Sequence, residues 1–244
     1  MRTILWFLYF WLYLVALLPK MHRAKKLEAQ GRRDLADAIT EREVRKWASA
    51  LLKAAGAKVK VEGLENIPQG KACLFIGNHQ GNFDVPIMLS QLPKPYGLLS
   101  KIETQKIPLI CQWMKLLHCV FVDRKDPRQS VTALNECAHL LSEGYSMIIF
   151  PEGTRSRGDA MNEFKGGAFK IASKAGVPIV PMAMNGSYRL MEAHGFRIHP
   201  ASVTLKILPP IETASLSREE LKALPETVKE LIAQNITPAS GASA

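Results

Sequence analysis

The chain of 244 residues is long enough for one sizeable core and too short for two comfortable domains. With 47% hydrophobic and 22% charged residues, its composition excludes a collagen, a mucin-like stalk, a multi-spanning membrane protein and a mainly disordered chain. Thirty-two basic against 22 acidic residues leave a net charge of +10, which calls for an anionic partner: nucleic acid, a membrane surface or a phosphorylated substrate.

The N-terminus opens on Ile4 to Leu18, fifteen uncharged residues rich in Leu, Trp, Tyr and Phe. As a helix this run measures about 22 Å, short of the roughly 30 Å hydrocarbon core of a bilayer. A secretory signal would carry its basic residues ahead of the apolar run and end in small residues; here Arg2 is the only basic residue ahead, and no clear A-x-A site follows. From Lys20 to Arg33 there are six basic residues and one acid, half the charge excess of the whole chain. That order favours a helix dipped into one leaflet, with Trp6, Tyr9, Trp11 and Tyr13 at the headgroup level and the basic cluster on anionic lipid. A spanning helix is the alternative, and either reading puts the basic side in the cytoplasm, on the inner face of the cell membrane. Leu35, Ile39, Val44, Trp47, Leu51 and Ala55 then recur at helical spacing up to Gly56, so residues 1–56 read as two helices around a basic bend.

Beyond Gly56 short apolar strands alternate with helices. Strands are expected at Val59–Val61, Ala72–Gly77, Tyr96–Ser100, Cys119–Val122, Ser146–Phe150, Pro178–Met184 and Ser202–Leu208. Helices are expected over 86–92, 105–116, 128–142, 166–175 and 218–234, the last with a capping box at Ser217 and Glu220 and a kink or restart at Pro225. The pattern predicts an α/β domain over 57–236, with a mostly parallel, mixed sheet of about seven strands flanked by helices. The tail 237–244 reads as disordered. Cys73, Cys111, Cys119 and Cys137 have neither CxxC pairing nor metal-ligand spacing and read as reduced thiols. No Walker pattern, dinucleotide fingerprint, serine elbow or metal cluster is present, so no metal or cofactor is expected.

In such folds sites lie beyond the carboxyl ends of strands. The first exit is Asn78-His79-Gln80-Gly81-Asn82-Phe83-Asp84. Five residues of continuous helix would turn His79 and Asp84 about 140° apart, so they meet only if Gly81 and Asn82 make a turn. Pro86 suits the first turn of the following helix, which would leave Asp84 just outside it and free to orient His79. Asp84 as a plain helix cap is the competing possibility. The second exit, Phe150-Pro151-Glu152-Gly153-Thr154-Arg155-Ser156-Arg157-Gly158, combines arginine forks with glycines that let backbone N–H groups approach an anion. A third exit ends in Asp123-Arg124-Lys125, and Lys101 follows a fourth strand. A histidine base without a protein nucleophile implies that a substrate group attacks directly.

NHQGNFD resembles the HxxxxD block of the glycerolipid acyltransferases. FPEGTRSRG and FKGGAFKIASKAGVPIVPM resemble that superfamily's third and fourth blocks, and HCVFVDR its second, with His118 where the family usually has Gly. The likeness covers roughly residues 59–209. It implies an acyltransferase domain that moves a fatty acyl group from acyl-CoA or acyl carrier protein to the free hydroxyl of lysophosphatidate, with phosphatidate as product. By position, His79 would be the general base, Asp84 its partner, and Arg124, Glu152, Gly153, Thr154 and Arg155, with Lys101, the phosphate binders. An acceptor such as glycerol 3-phosphate or another lysophospholipid, or a non-catalytic lipid carrier on the same fold, is the alternative. Nucleic acid is disfavoured, because the main basic cluster abuts an apolar helix and no recognition motif accompanies it.

Overall fold

The computed structural model describes residues 1–236; the tail expected to be disordered lies outside them. Seven strands form one sheet: β1 Ala57–Glu62, β2 Leu74–Gly77, β3 Gly97–Lys101, β4 Val120–Val122, β5 Met147–Ile149, β6 Ile179–Asn185 and β7 Ala201–Ile207. Their order is β1-β7-β6-β2-β5-β3-β4. Every pairing is parallel except the antiparallel contact of β6 with β7. The mixed, mostly parallel sheet read from the alternating pattern is therefore present.

Central strands buried on both faces show why the pattern was continuous rather than alternating. In β2, Phe75 joins one core while Leu74 and Ile76 join the other. Helices α4 Asp84–Gln91 and α5 Ile110–Leu116 cover the first face, and α6 Pro127–Ser142, α7 Gly167–Ala175 and α8 Arg218–Ala233 the second. The capping box at Ser217 and Glu220 starts α8, and the helix continues through Pro225, so of the kink or restart expected there the restart does not occur. β2 and β5 lie side by side, yet β2 leads to α4 on one face and β5 to α7 on the other. That divergence opens a crevice at their carboxyl ends, the switch point where α/β sheets bind ligands.

The N-terminal segment departs from the two-helix expectation. The supposed basic bend is itself helical: α1 Arg2–Ala16 and α2 Leu18–Ala29 meet at 45°, and α3 Arg33–Ala55 follows. No single helix among the described residues is long and apolar enough to cross a membrane. Trp6, expected at a headgroup boundary, is buried instead; its Nε1–H donates to Leu51 O at 3.0 Å and its ring lies 5.4 Å from that of Phe83. Leu14 and Leu17 bury alongside it, so one stripe of α1 belongs to the core. The opposite stripe leaves Ile4, Leu5, Leu8, Leu12 and Val15 exposed.

His118 holds the backbone at φ +56°, a left-handed conformation that explains why glycine suits this position. Its Nε2 lies 3.0 Å from Asp37 Oδ1 and its ring 4.2 Å from Tyr145, contacts that offset the strain. It precedes β4, at the edge of the sheet opposite Arg124. Changing His118→Ala keeps the strained backbone and loses the contacts, whereas His118→Gly removes the strain. The glycine variant should be about 1 kcal/mol the more stable of the two in denaturant unfolding. Equal midpoints would show that the left-handed backbone carries no strain.

Candidate functional site

β2 is followed by Asn78, whose buried side chain locks onto β6 by two bonds, Nδ2–H to Met184 O at 2.9 Å and Oδ1 from Met184 N at 2.7 Å. The chain then turns, and three of its N–H groups donate to three buried carboxylates. His79 N donates to Glu152 at 2.6 Å, Gly81 N to Asp84 at 3.0 Å and Asn82 N to Glu192 at 2.7 Å. Gly81 is required by close approach: a Cβ there would sit 2.5 Å from Glu192 Oε2. The carbonyls of His79 and Gln80 accept from Ser156 N and Arg157 N at 2.7 and 3.1 Å, which ties the turn to the loop after β5.

The turn brings His79 Nδ1 to 2.7 Å from Asp84 Oδ2, as the sequence reading expects. The His79 ring stacks on Phe150 with centroids 4.1 Å apart and planes 16° apart, which fixes its orientation. Asp84 is not outside the helix: α4 begins at Asp84, with Phe83 as its cap residue. The carboxylate is fully buried nonetheless, and its other oxygen accepts from the Ser187 hydroxyl. It therefore faces His79 from the first position of α4 while capping no helical N–H.

Beyond His79 lies a cavity of about 320 Å³ whose walls include Lys101, Arg124, Gly153, Thr154 and Arg155. The Arg124 guanidinium donates to Gly153 O, and Gly153 itself stands at φ +71°. Arg157, the second arginine of the loop that reads as an anion site, also lines the cavity, although the resemblance did not place it among the phosphate binders. Glu152, expected among the phosphate binders, is not among the residues that line this cavity. Its side chain turns inward, away from the cavity, and accepts from His79 N and, at 2.8 and 2.9 Å, from Asn162 N and Nδ2. A carboxylate so placed braces the turn rather than meeting an anionic substrate.

A second cavity, of about 210 Å³ and almost wholly apolar, lies beneath α1, α3 and α5. Leu14, Leu17, Trp47, Leu89, Trp113 and Met114 line it, and Val85, Leu98, Ser100 and Thr104 belong to both cavities. An alkyl chain could thus run from the polar cavity into the apolar one. Sequence reasoning missed Ser187 and Glu192, which follow β6. The available signal was topological: β6 runs parallel to β2, so its exit opens at the same edge of the sheet.

Burial raises the affinity of Glu152 and Glu192 for a proton above that of an ordinary glutamate at 4.5, with their hydrogen bonds pulling the other way. The folded chain then binds a proton there that the unfolded chain has already lost. Their contribution to stability is fullest at acid pH and falls as pH rises through the raised value. Glu152→Gln should lower stability at every pH, because an acceptor for Asn162 is lost, and should flatten this decline. Denaturant midpoints measured across the interval above 4.5 check it; an unchanged slope would contradict it.

The model of the family described as Acyltransferase matches residues 58–185, from β1 through the exit of β6. The chain is 40% identical over 135 residues to the chloroplastic 1-acyl-sn-glycerol-3-phosphate acyltransferase BAT2 of Brassica napus, covering 55% of this chain and 39% of that protein. It is 38% identical over 159 residues to a probable 1-acyl-sn-glycerol-3-phosphate acyltransferase of Mycoplasma pneumoniae, covering 64% of this chain and 59% of that protein. It thus spans less than two thirds of either relative. With the 1-acyl-sn-glycerol-3-phosphate acyltransferase of Borreliella burgdorferi the identity is 30%, over 75% of this chain and 73% of that one. The crystal structure of the 1-acyl-sn-glycerophosphate acyltransferase PlsC from Thermotoga maritima superposes with a TM-score of 0.74 at 29% identity, over 96% of this chain and 97% of that one. A matched segment that holds the His79–Asp84 pair, the arginine loops and more than half of the residues leaves one assignment: the chain belongs to the Acyltransferase family.

Proposed function

We propose that this chain transfers a fatty acyl group from an acyl thioester to the free sn-2 hydroxyl of 1-acyl-sn-glycerol 3-phosphate, making phosphatidate. The observation that carries the reading is His79. Asp84 occupies its Nδ1, which leaves Nε2 as the free ring nitrogen of a side chain that lines a cationic cavity sharing four lining residues with an apolar one. A phosphate on Arg124 and Arg155, with Lys101 and the Gly153-Thr154 backbone beside it, holds the acceptor so that its hydroxyl reaches Nε2. The acyl chain of acyl-CoA or acyl carrier protein, the co-substrate, lies in the apolar cavity.

Nε2 takes the hydroxyl proton as the oxygen attacks the thioester carbon. Asp84 keeps the proton on Nδ1 and faces the positive charge that the ring acquires. The tetrahedral intermediate collapses with cleavage of the C–S bond, and the imidazolium returns the proton to the departing thiolate. No acyl-enzyme forms. Relatives named 1-acyl-sn-glycerol-3-phosphate acyltransferase support the same acceptor.

The exposed stripe of α1 and the basic surface of α2 would hold the enzyme in the cytoplasmic leaflet of the inner membrane, where a single-chain lipid could slide its headgroup to His79. Lys20 pairs with Glu43 and Lys25 with Gln112. That makes Arg23, Lys26 and Arg32, all exposed, the better candidates for lipid contact. Each is worth roughly 1 kcal/mol near an anionic surface. Replacing all three with Gln should release the chain from anionic vesicles at lower salt, with activity on detergent-dispersed lysolipid retained. Unaltered vesicle binding would contradict the placement.

The direct test is acyl transfer by the purified chain to lysophosphatidate, glycerol 3-phosphate and neutral lysolipids, with either thioester donor. Lysophosphatidate should be preferred, and His79→Ala should lower turnover roughly 10²–10⁴-fold without unfolding the chain. Arg124→Ala should raise KM for lysophosphatidate more than KM for the donor. A folded His79→Ala variant of near-normal activity would overturn the reading.

A further inference from the structure

Glu192 lies outside every block that carries the family likeness. It stands on a short 3-10 turn in the excursion between β6 and β7, and its side chain is fully buried. A buried carboxylate is costly unless strongly bonded. Here Oε1 accepts Asn82 N at 2.7 Å and Arg155 Nη1 at 3.3 Å, while Oε2 is buried with no hydrogen-bond partner among the described residues. Both partners line the cavity of His79. Arg155 Nη1 also donates to Asn82 Oδ1, so one guanidinium nitrogen takes both contacts. The edge bearing Nε and Nη2 is left uncommitted among the described residues, and that edge is the fork suited to a phosphate.

We propose that Glu192 is a positioning residue for acceptor recognition: it anchors Arg155 through Nη1 and presents the other edge of the guanidinium to the substrate phosphate. The proposal rests on the acyl-transfer reading above and adds to it a residue remote in sequence. Charge alone would make an acid here unhelpful, since it opposes an anionic ligand. Geometry makes it useful, because a long arginine held at one nitrogen loses little further freedom on binding. The positioning is done by the acceptor oxygen, which Asn82 N and Arg155 Nη1 both reach.

The test compares Glu192→Asp, which withdraws the oxygens by one methylene, with Glu192→Gln, which keeps an acceptor at the same reach. Glu192→Asp should raise KM for lysophosphatidate roughly tenfold, with KM for acyl-CoA unchanged, and Glu192→Gln should stay within about threefold of the parent. In an Arg155→Ala background, Glu192→Asp should add less than about twofold, since the residue it acts through is gone. A folded Glu192→Asp enzyme with unchanged kinetics overturns the proposal, as does an equal rise in both KM values or a full effect without Arg155. Should Glu192→Asp not fold, a folded Glu192→Gln enzyme whose acceptor KM rises tenfold or more overturns it as well. A parent chain that cannot acylate lysophosphatidate would remove the acyl-transfer reading itself, whereas an active parent with an indifferent Glu192 removes this proposal alone.

Discussion

A tight turn at the end of a central strand must leave its backbone N–H groups either wet or bonded, and in this chain it hands them to buried acids. Glu152, Asp84 and Glu192 arrive from the loop after β5, the start of α4 and the excursion after β6, and each takes one N–H of the segment from His79 to Asn82. Charge-assisted bonds of this kind are strong in a low-dielectric interior, and a carboxylate deprived of its donor would be costly to keep there. Each element is therefore held to the same turn. The donors at His79, Gly81 and Asn82 are also spent, so they are not available to stabilise a developing oxyanion.

The same bracing explains how the apolar and polar halves of the site stay in register. Phe83, one residue before Asp84, packs against Trp6 of α1, and Trp6 is pinned to Leu51 of α3. The helix whose outer stripe is exposed and apolar is thus in contact with the residue that caps α4. Ile198 N donates to Thr3 Oγ1 at 3.0 Å, a second tie between α1 and the excursion that carries Glu192. Displacing α1 would loosen the turn from His79 to Asn82 as well as open the apolar cavity that its Leu14 and the following Leu17 help to line.

Much of this was legible in the residues. Strand exits such as Ile76-Gly77-Asn78-His79 announce themselves because a continuous apolar run ends abruptly in polar residues, and the His79–Asp84 pairing followed from the turn that Gly81 permits. Two kinds of information were not local. Glu152 looked like an anion-site residue from its neighbours Gly153 and Arg155, but side-chain direction at a strand end is set by which face is filled, and the inward face held His79 N and Asn162. Glu192 lies more than a hundred residues from Asn82, and no periodicity or spacing connects them. The N-terminal reading erred on Trp6 because an aromatic suited to a headgroup boundary is equally suited to a core that offers a carbonyl to its N–H.

On the proposed reading, Asp84, 2.7 Å from Nδ1, holds the proton of neutral His79 there and leaves Nε2 as the base. Nitrogen-15 NMR of the folded chain labelled in histidine measures this directly. The expected His79 signal has a protonated Nδ1 and an unprotonated Nε2, and Asp84→Asn loses that preference. A neutral His79 that carries its proton on Nε2 in the parent chain would contradict it.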